Sequence, residues 1–305
     1  MGKIVVIGSA NTDLVVRTDR MPLPGETILG GRFMMAGGGK GANQAVAASR
    51  LGGEVTFVAR VGNDLFGEQA LAGYRAERMD VRHVLCDEAA PTGVALICVD
   101  AAAENSIVVA PGANERLSPK DVDCAEAAIA AADFVVLQLE IPLPTVVYAA
   151  EVAARHGVRV ILNPAPAAAI PDELLRQCYL LTPNRSECAM LAGMPVVDAG
   201  DAERAADALL ARGAQHVVVT LGGEGSLVKG AEYCERVAAR RVEAVDTTAA
   251  GDTFNGALAV ALSEGRSLSE AVHFATAASS IAVTRMGAQN SVPTRAEVDA
   301  LMIEV

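Results

Sequence analysis

The chain has 305 residues, of which 51% are hydrophobic and 20% are charged, and its formal net charge at pH 7 is -12. This composition is that of an ordinary globular protein and excludes a disordered or a fibrous chain. The acidic balance provides no basic surface for a phosphate backbone or an anionic membrane, so we expect neither nucleic acid nor a membrane as a partner.

The cysteines show neither a metal-binding nor a disulfide pattern. Cys86, Cys98, Cys124, Cys178, Cys188 and Cys234 are scattered without CxxC or Cys/His spacing. No signal segment precedes the first predicted strand, and no apolar run approaches the roughly 20 residues that span a bilayer. The sequence therefore predicts a cytoplasmic protein with reduced thiols.

Apolar runs of strand length alternate with helical segments along most of the chain. The first, Lys3 to Gly8, ends at a glycine, which is typical of a buried strand that opens toward a ligand, and Asn11 and Asp13 follow it. Later predicted strands are Val55 to Ala59, Phe134 to Leu139, Val158 to Leu162, Tyr179 to Thr182 and Val217 to Leu221. Helical segments such as Leu143 to His156 separate them. The alternation predicts an α/β fold with a mostly parallel sheet flanked by helices.

Two regions break this alternation. Prolines and a glycine interrupt Leu14 to Phe33, whereas in Gly93 to Ala110 the segments Val94 to Asp100 and Ser106 to Val109 flank a polar turn. Both regions predict antiparallel strands outside the main sheet. No internal repeat or linker divides the chain, so we expect a single domain over residues 1–305 with a small β appendage.

A glycine-rich segment, Ala36 to Asn43, leads into a predicted helix from Gln44 to Leu51. Its bare backbone lets a ligand come close, its lysine adds a cation, and its asparagine amide can pair with hydroxyl groups, which suits a sugar. The segment is not a P-loop, because Gly41 follows Lys40 where a Ser or Thr should hold magnesium.

The same segment loosely fits the dinucleotide-binding pattern through Gly37, Gly39 and Ala42. That pattern requires an acidic residue at the end of the next strand, but the run from Val55 leads to Arg60. A nicotinamide-dependent oxidoreductase is therefore a remote alternative.

Polar groups follow three of the later predicted strands. Gln138 to Glu140, Thr182 to Glu187 and Thr220 to Gly225 lie just past apolar runs, where nucleotides bind in doubly wound sheets. Each segment alone also fits solvated side chains or a plain glycine turn. Their common location favours a ligand site.

The strongest local signal is Asp246 to Asp252, which runs into a helical segment from Thr253 to Leu262. Small residues at a helix start expose unpaired backbone N–H groups, which bind phosphate oxygens. A carboxylate beside such a site can serve as a general base. From this segment alone, capping of the helix by Asp252 explains that residue equally well.

Several motifs, taken together and in this order, resemble those of the ribokinase-like carbohydrate kinases. They are Gly8 to Asp13, Gly38 to Asn43, Asn163 to Pro166, Thr182 to Asn184, Thr220 to Gly225 and Asp246 to Asp252, and the similarity extends to Pro293. The resemblance implies a three-layer sandwich with a mostly parallel central sheet, helices on both faces and a small β-sheet lid. The lid strands would come from about residues 12–36 and 91–111.

The resemblance also implies roles for individual residues. Asp252 would be the base that deprotonates the acceptor hydroxyl, and Ala249, Ala250 and Gly251 would donate backbone N–H groups to the transferred phosphoryl group. The sugar would be held by Asn11, Thr12, Asp13, Gly39, Lys40, Gly41, Ala42, Asn43, Glu140 and Asp252.

The same resemblance implies which residues bind the nucleotide and the metal ions. ATP would lie along Asn184, Thr220, Leu221, Gly222, Gly223, Glu224, Gly225, Gly251, Asp252 and Thr276. Magnesium would arrive with ATP, and Glu187 would act on it indirectly. A potassium-like ion would bind at Asp246, Thr248, Ala282, Arg285, Gly287 and Ser291. Thr276 departs from the His or Asn that relatives commonly carry near the nucleotide.

The implied function is ATP-dependent phosphorylation of D-ribose at its 5-hydroxyl, which gives ribose 5-phosphate and ADP. Deoxyribose, fructose, a ketodeoxy sugar acid or a nucleoside stays open as the acceptor, because pocket shape rather than motif selects it. A catalytically silent sugar-binding regulator is disfavoured by the presence of Asp252 and the small residues before it. A homodimer formed through the lid is also implied.

Overall fold

The computed structural model describes residues 2–101 and 105–303 and contains two sheets. In chain order the strands are β1 (Lys3–Ile7), β2 (Asn11–Arg17), β3 (Arg32–Gly38), β4 (Glu54–Gly62), β5 (Asp80–Asp87), β6 (Gly93–Val99), β7 (Asn105–Ala110), β8 (Phe134–Leu137), β9 (Arg159–Leu162), β10 (Cys178–Leu181), β11 (His216–Thr220), β12 (Ser226–Lys229) and β13 (Cys234–Val237).

The helices are α1 (Lys40–Arg50), α2 (Leu65–Ala76), α3 (Pro119–Cys124), α4 (Glu126–Ala130), α5 (Leu143–Arg155), α6 (Asp172–Gln177), α7 (Arg185–Ala192), α8 (Ala199–Ala211), α9 (Ala250–Ser263), α10 (Leu268–Ala282) and α11 (Arg295–Ile303). Short 3-10 turns cover Gly112–Arg116, Gly222–Glu224 and Gln289–Ser291. Over the described ranges, none of these helices is long and apolar enough to cross a membrane.

The main sheet has nine strands in the order β13-β12-β11-β10-β9-β8-β1-β4-β5. Neighbours from β11 to β5 run parallel, and β12 and β13 add an antiparallel edge. The predicted mostly parallel sheet is therefore confirmed. Parallel strands place their carboxyl ends at one edge, so the polar segments that follow β1, β8, β10 and β11 converge there.

Both faces of the main sheet are covered, as the strand composition requires. Along β1, Ile4 and Val6 pack into one apolar cluster, and Val5 and Ile7 pack into another. Alternate side chains point to opposite faces, so a strand that is apolar throughout needs helices on both sides. Helices α1, α9 and α10 cover one face, and α5, α6 and α8 cover the other. The predicted three-layer architecture is confirmed.

The small sheet has the order β3-β2-β6-β7, which confirms the predicted second sheet. The β2/β3 and β6/β7 pairs are antiparallel, but β2 and β6 run parallel, so the prediction of purely antiparallel strands was wrong at this pair. Strands β2 and β6 both leave the main sheet, after β1 and β5, and therefore enter the small sheet in the same direction. Residues 102–104, part of the predicted polar turn, lie outside the described residues.

Candidate active site

The first component of the site is the start of β2, where Asn11, Thr12 and Asp13 are buried. Asn114, in the 3-10 turn after β7, holds this segment in place. Its Nδ2 donates to Asn11 Oδ1 at 2.7 Å, and its Oδ1 accepts from the Ala10 N–H at 2.8 Å. Because only three residues separate β1 from β2, the three side chains lie directly beyond the main sheet.

The second component is the glycine-rich segment at the start of α1. The helix begins at Lys40 rather than at the predicted Gln44, so Lys40 to Asn43 form its first turn. Gly39 has φ +87, and a side chain at Gly41 would meet the backbone of Gly8 and Ser9 within 2.7 Å. The glycines thus let this turn sit against the end of β1. The Ala42 N–H donates to the Ser9 carbonyl at 2.8 Å and secures the contact.

Glu140, which follows β8, joins these two segments. Its Oε2 accepts from Ser9 Oγ at 2.6 Å and from the Lys40 N–H at 2.9 Å. The carboxylate is therefore held by the turn after β1 and by the first turn of α1.

Asp252 lies in the first turn of α9 and is only 6% exposed. Its Oδ2 accepts from Asn43 Nδ2 at 2.9 Å, and its Oδ1 accepts from Gln44 Nε2 at 3.0 Å. Within the part of the chain that the structure describes, no side chain caps the start of α9, and both Asp252 oxygens are engaged by Asn43 and Gln44 instead. The alternative of a plain helix cap is thereby removed, and the carboxylate faces the glycine-rich turn instead.

Charges are concentrated where these components meet. Burial, together with the charges of Glu140 and Asp252, raises the pKa of Asp13 to about 6. Burial would lower the pKa of Lys40, but the charges of Asp252, Glu140 and Glu187 outweigh it and raise that pKa. One ammonium group therefore balances a cluster of carboxylates. A ligand with several hydroxyl groups can donate to these carboxylates without adding charge.

The start of α9 provides an anion site beside Asp252. Ala249 has a left-handed backbone with φ 57, and the Ala250 N–H donates to the Thr247 carbonyl at 3.2 Å. Within the described residues, the N–H groups of Gly251 and Asp252 have no backbone acceptor. Of the N–H groups predicted to bind the phosphoryl group, that of Ala250 is therefore already hydrogen-bonded to Thr247, whereas that of Gly251 can bind an anion. The N–H of Asp252, which was not predicted, can also bind one.

A cavity of about 1190 Å³ opens next to this helix end. Most of the predicted nucleotide residues line it: Asn184, Thr220, Leu221, Gly222, Gly223, Gly225, Gly251 and Thr276. Two of the predicted nucleotide residues, Glu224 and Asp252, do not line the cavity: the Glu224 carboxylate accepts from Arg185 Nη2 at 2.7 Å, and the Asp252 carboxylate faces the glycine-rich turn. The cavity is large enough for a nucleoside triphosphate. The loop before α9 also contributes Ala239, Arg240, Arg241, Val242, Ala244 and Thr247, which sequence reasoning missed.

Asn184 and Glu187 form a capping box at the start of α7. Glu187 Oε2 accepts from the Asn184 N–H at 2.7 Å, and Asn184 Oδ1 accepts from the Glu187 N–H at 2.9 Å. Burial raises the pKa of Glu187, and the hydrogen bond from the Asn184 N–H and the nearby charge of Lys40 partly offset this. Because both Glu187 oxygens contact Asn184, any effect on magnesium would be indirect.

The predicted cation ligands surround Asp246 in part. Asp246 Oδ1 accepts from the Thr248 N–H and its Oδ2 from the Gly287 N–H, each at 2.9 Å. Burial would raise the pKa of Asp246, but its bonds to Thr248 and Gly287 outweigh burial and lower it. The Asp246 N–H donates to the carbonyl of Val283, the residue after Ala282, at 3.1 Å.

Two of the predicted cation ligands have other partners. The Arg285 side chain pairs with Glu297 at 2.5 Å, and Ser291 Oγ donates to the Ala288 carbonyl at 2.7 Å. Arg285 would therefore contribute a backbone oxygen, as hard monovalent cations prefer. Among the predicted cation ligands, Asp246 is the one residue with an anionic side chain.

The matching family model describes the pfkB family of carbohydrate kinases and covers residues 1–295. The chain belongs to this family. This carbohydrate kinase is 44% identical over 294 residues to the ribokinase of Haemophilus influenzae, with 96% of both chains covered. It is 38% identical over 292 residues to a deoxyribokinase of Salmonella typhi, with 95% of both covered.

The structural comparison agrees with the sequence comparison. The structure of Arabidopsis thaliana ribokinase complexed with ribose and ATP matches the kinase with a TM-score of 0.91 at 35% identity and covers 99% of each chain. The predicted membership in the ribokinase-like kinases and the predicted fold class are confirmed.

Proposed function

We propose that this kinase transfers the γ-phosphoryl group of ATP to the 5-hydroxyl of D-ribose and forms ribose 5-phosphate and ADP. The observation that carries the proposal is the position of Asp252. Its carboxylate contacts the glycine-rich turn, while the start of its helix lines the nucleotide cavity. The ribokinase names of the relatives support ribose as the acceptor.

In this mechanism the sugar binds among Asn11, Asp13, Glu140 and the first turn of α1. Asp252 accepts the proton of the attacking hydroxyl, and the oxygen attacks the γ-phosphorus in line as the bond to ADP breaks. The free N–H groups at the start of α9 stabilise the charge on the transferred group. Magnesium bound with ATP would neutralise phosphate charge.

The proposal is tested by measuring ADP release with ribose, 2-deoxyribose, fructose, a ketodeoxy sugar acid and a nucleoside. We expect the highest kcat/KM with ribose. Deoxyribose is the specific rival, because a deoxyribokinase is among the relatives. A site that hydrogen-bonds the 2-hydroxyl should discriminate strongly against its loss. A higher kcat/KM for deoxyribose would refute ribose as the preferred acceptor and leave the kinase class intact.

Sugar affinity is expected to depend on the ionisation of Asp13. The pKa of this carboxyl is raised to about 6, so the charged form that accepts from sugar hydroxyls is present above that pH and is lost below it. We expect the KM for ribose to rise about tenfold per pH unit below the pKa. Steady-state assays from pH 5 to 8 measure this rise. Asp13→Asn should bind ribose more weakly and with a flat KM over the same range, and an equally steep rise in this variant would assign it to another group.

A monovalent cation of potassium type is part of the proposal, with Asp246 as its charged ligand. Wild-type kinase should be activated and thermally stabilised by KCl but not by choline chloride at equal ionic strength. Asp246→Ala should lose both responses, and its activity in KCl should fall about 10- to 100-fold. Equal responses of both proteins to KCl would remove Asp246 from the cation site.

We also propose that the small sheet mediates a homodimer in the cytoplasm and acts as a lid. Its edge strand β7 is exposed throughout, and Phe33, Leu96 and Val108 are 66%, 53% and 67% exposed. Such an apolar patch is typical of a protein interface. Val108→Lys should shift the mass in light scattering from dimer to monomer, whereas Val197→Lys, at a position 72% exposed in the loop before α8, should not. A wild-type monomer would refute the dimer.

A further inference from the structure

Among the described residues, Asp252 has two side-chain hydrogen-bond partners, and one of them, Asn43, belongs to the predicted sugar site. Gln44 is the second partner. It is 0% exposed, so it is not placed to touch a ligand, yet its Nε2 donates to Asp252 Oδ1 at 3.0 Å. Together with Asn43 it gives each oxygen of the carboxylate one amide donor.

The orientation of the Gln44 amide is set by its other neighbours. Gln138, also 0% exposed, donates from Nε2 to Gln44 Oε1 at 2.6 Å. Since the amide oxygen faces Gln138, the NH2 group must face Asp252 and Asn163, whose Oδ1 accepts at 3.1 Å. Asn163 is itself oriented, because its Nδ2 donates to the Thr182 carbonyl at 3.0 Å. If the amide of Gln44 or of Asn163 were flipped, its oxygen would face another acceptor and its NH2 group would face another donor.

This chain of contacts returns to the start of α9. Thr182 Oγ1 donates to Asn255 Oδ1 at 2.6 Å, and Asn255 Nδ2 donates to the Gly251 carbonyl at 2.8 Å. The carboxylate of Asp252 and the backbone beside it are thus linked through neutral buried groups to the ends of β8, β9 and β10. Breaking one of these buried hydrogen bonds would leave its donor and acceptor unpaired at a cost of about 1–3 kcal/mol, so the paired groups keep their orientations. Among the described residues, Gln138 Oε1 and Asn43 Oδ1 have no partner.

We infer that Gln44 is a positioning residue that holds the Asp252 carboxylate in the orientation in which it accepts the proton. This inference rests on the proposed function. An amide is suited to the role, because it donates to a carboxylate but does not compete with it for the proton. Precise placement matters, since a displacement of about 1 Å at a reacting group can cost about 10²-fold in rate.

Gln44→Met tests the inference, because methionine has nearly the same length but no amide. We expect kcat to fall about 10- to 100-fold, while the KM values for ribose and ATP stay within about twofold. Gln177→Met is the matched control. Gln177 lies at the end of α6, its buried Oε1 has no partner among the described residues, and its loss should leave kcat unchanged.

A second comparison separates positioning from a structural role. In an Asp252→Asn background, Gln44→Met should have little further effect on the residual rate, because there is no base left to position. An equal loss in both backgrounds, or a Gln44→Met enzyme with wild-type kcat, overturns the inference. If Gln44→Met does not fold, Gln138→Met replaces it. This variant leaves Gln44 in place without its orienting donor and should also lower kcat, and wild-type kcat there would overturn the inference.

Product formation by the wild-type enzyme distinguishes a wrong positioning role from a wrong function. A wild-type enzyme that forms no phosphorylated sugar refutes the function. A wild-type enzyme that phosphorylates ribose and is matched by its Gln44→Met variant refutes only the positioning role.

Discussion

Asp252→Asn should retain binding of ribose and ATP but lose about 10²- to 10⁴-fold in kcat, the range that a general base contributes. Asparagine preserves the shape of the side chain. Its Oδ1 can still accept from Gln44 Nε2, which meets the carboxylate at 3.0 Å, and its NH2 group can donate to Asn43 Oδ1, which has no partner among the described residues, once the Asn43 amide turns over. It cannot accept the hydroxyl proton. Coupled ADP release measures the turnover, and calorimetry measures binding of each substrate.

The control for this prediction is Asp207→Asn, the same chemical change at an exposed position of α8 that pairs with Lys229. Its turnover should equal that of the wild type. Near-normal turnover of Asp252→Asn would contradict the base assignment. Loss of sugar binding instead of turnover would make Asp252 a substrate ligand without a role in proton transfer.

Gly41→Ala should have the second largest effect, because the added Cβ has no space. It would lie 2.5 Å from the Ser9 backbone nitrogen and 2.6 Å from the Gly8 carbonyl carbon, and neither backbone atom can rotate away. The start of α1 must therefore move off the end of β1, which displaces Lys40 from Glu140 and Asn43 from Asp252. We expect kcat/KM for ribose to fall at least about 10²-fold and the free energy of unfolding to drop by about 1–3 kcal/mol.

Steady-state kinetics and thermal unfolding measure the two effects of Gly41→Ala. Gly73→Ala in α2 is the matched control, since a Cβ there meets nothing within 4 Å. That variant should be unchanged in activity and slightly more stable, because alanine favours a helix over glycine. A Gly41→Ala enzyme with normal kcat/KM would show that the glycine-rich turn tolerates displacement and does not set the sugar site.

Much of the main sheet could be predicted because its strands are apolar runs that end at polar or glycine-rich segments. The predicted helix boundary at α1 and the predicted strand directions in the small sheet were less accurate. The start of α1 was placed at Gln44 instead of Lys40, since Gly41 disfavours a helix in isolation and only the contact with Ser9 makes the early start favourable. The parallel β2/β6 pair was missed because strand direction in a second sheet depends on the three-dimensional path of the chain.

The candidate site was predictable where its residues belong to recognisable motifs, as for Asp13, Asn43 and Asp252. Glu224 shares a motif with residues that line the cavity, but a motif does not show which way one side chain points. No sequence motif indicated a role for Gln44 in the site. Its role depends on amides contributed by β8 and β9 segments far away in the chain, and such a network becomes visible only in three dimensions.

Both sheets contribute residues to the site, and this division determines where mutations can change the sugar specificity. Asn11, Thr12 and Asp13 belong to the small sheet, whereas Asp252 and the nucleotide cavity belong to the main body. Mutations in β2 and its neighbours β3 and β6 can therefore alter this part of the sugar site while Asp252 and the residues of the nucleotide cavity stay unchanged. A directed-evolution library for new sugars would randomise positions in those strands and keep residues 246–252 constant.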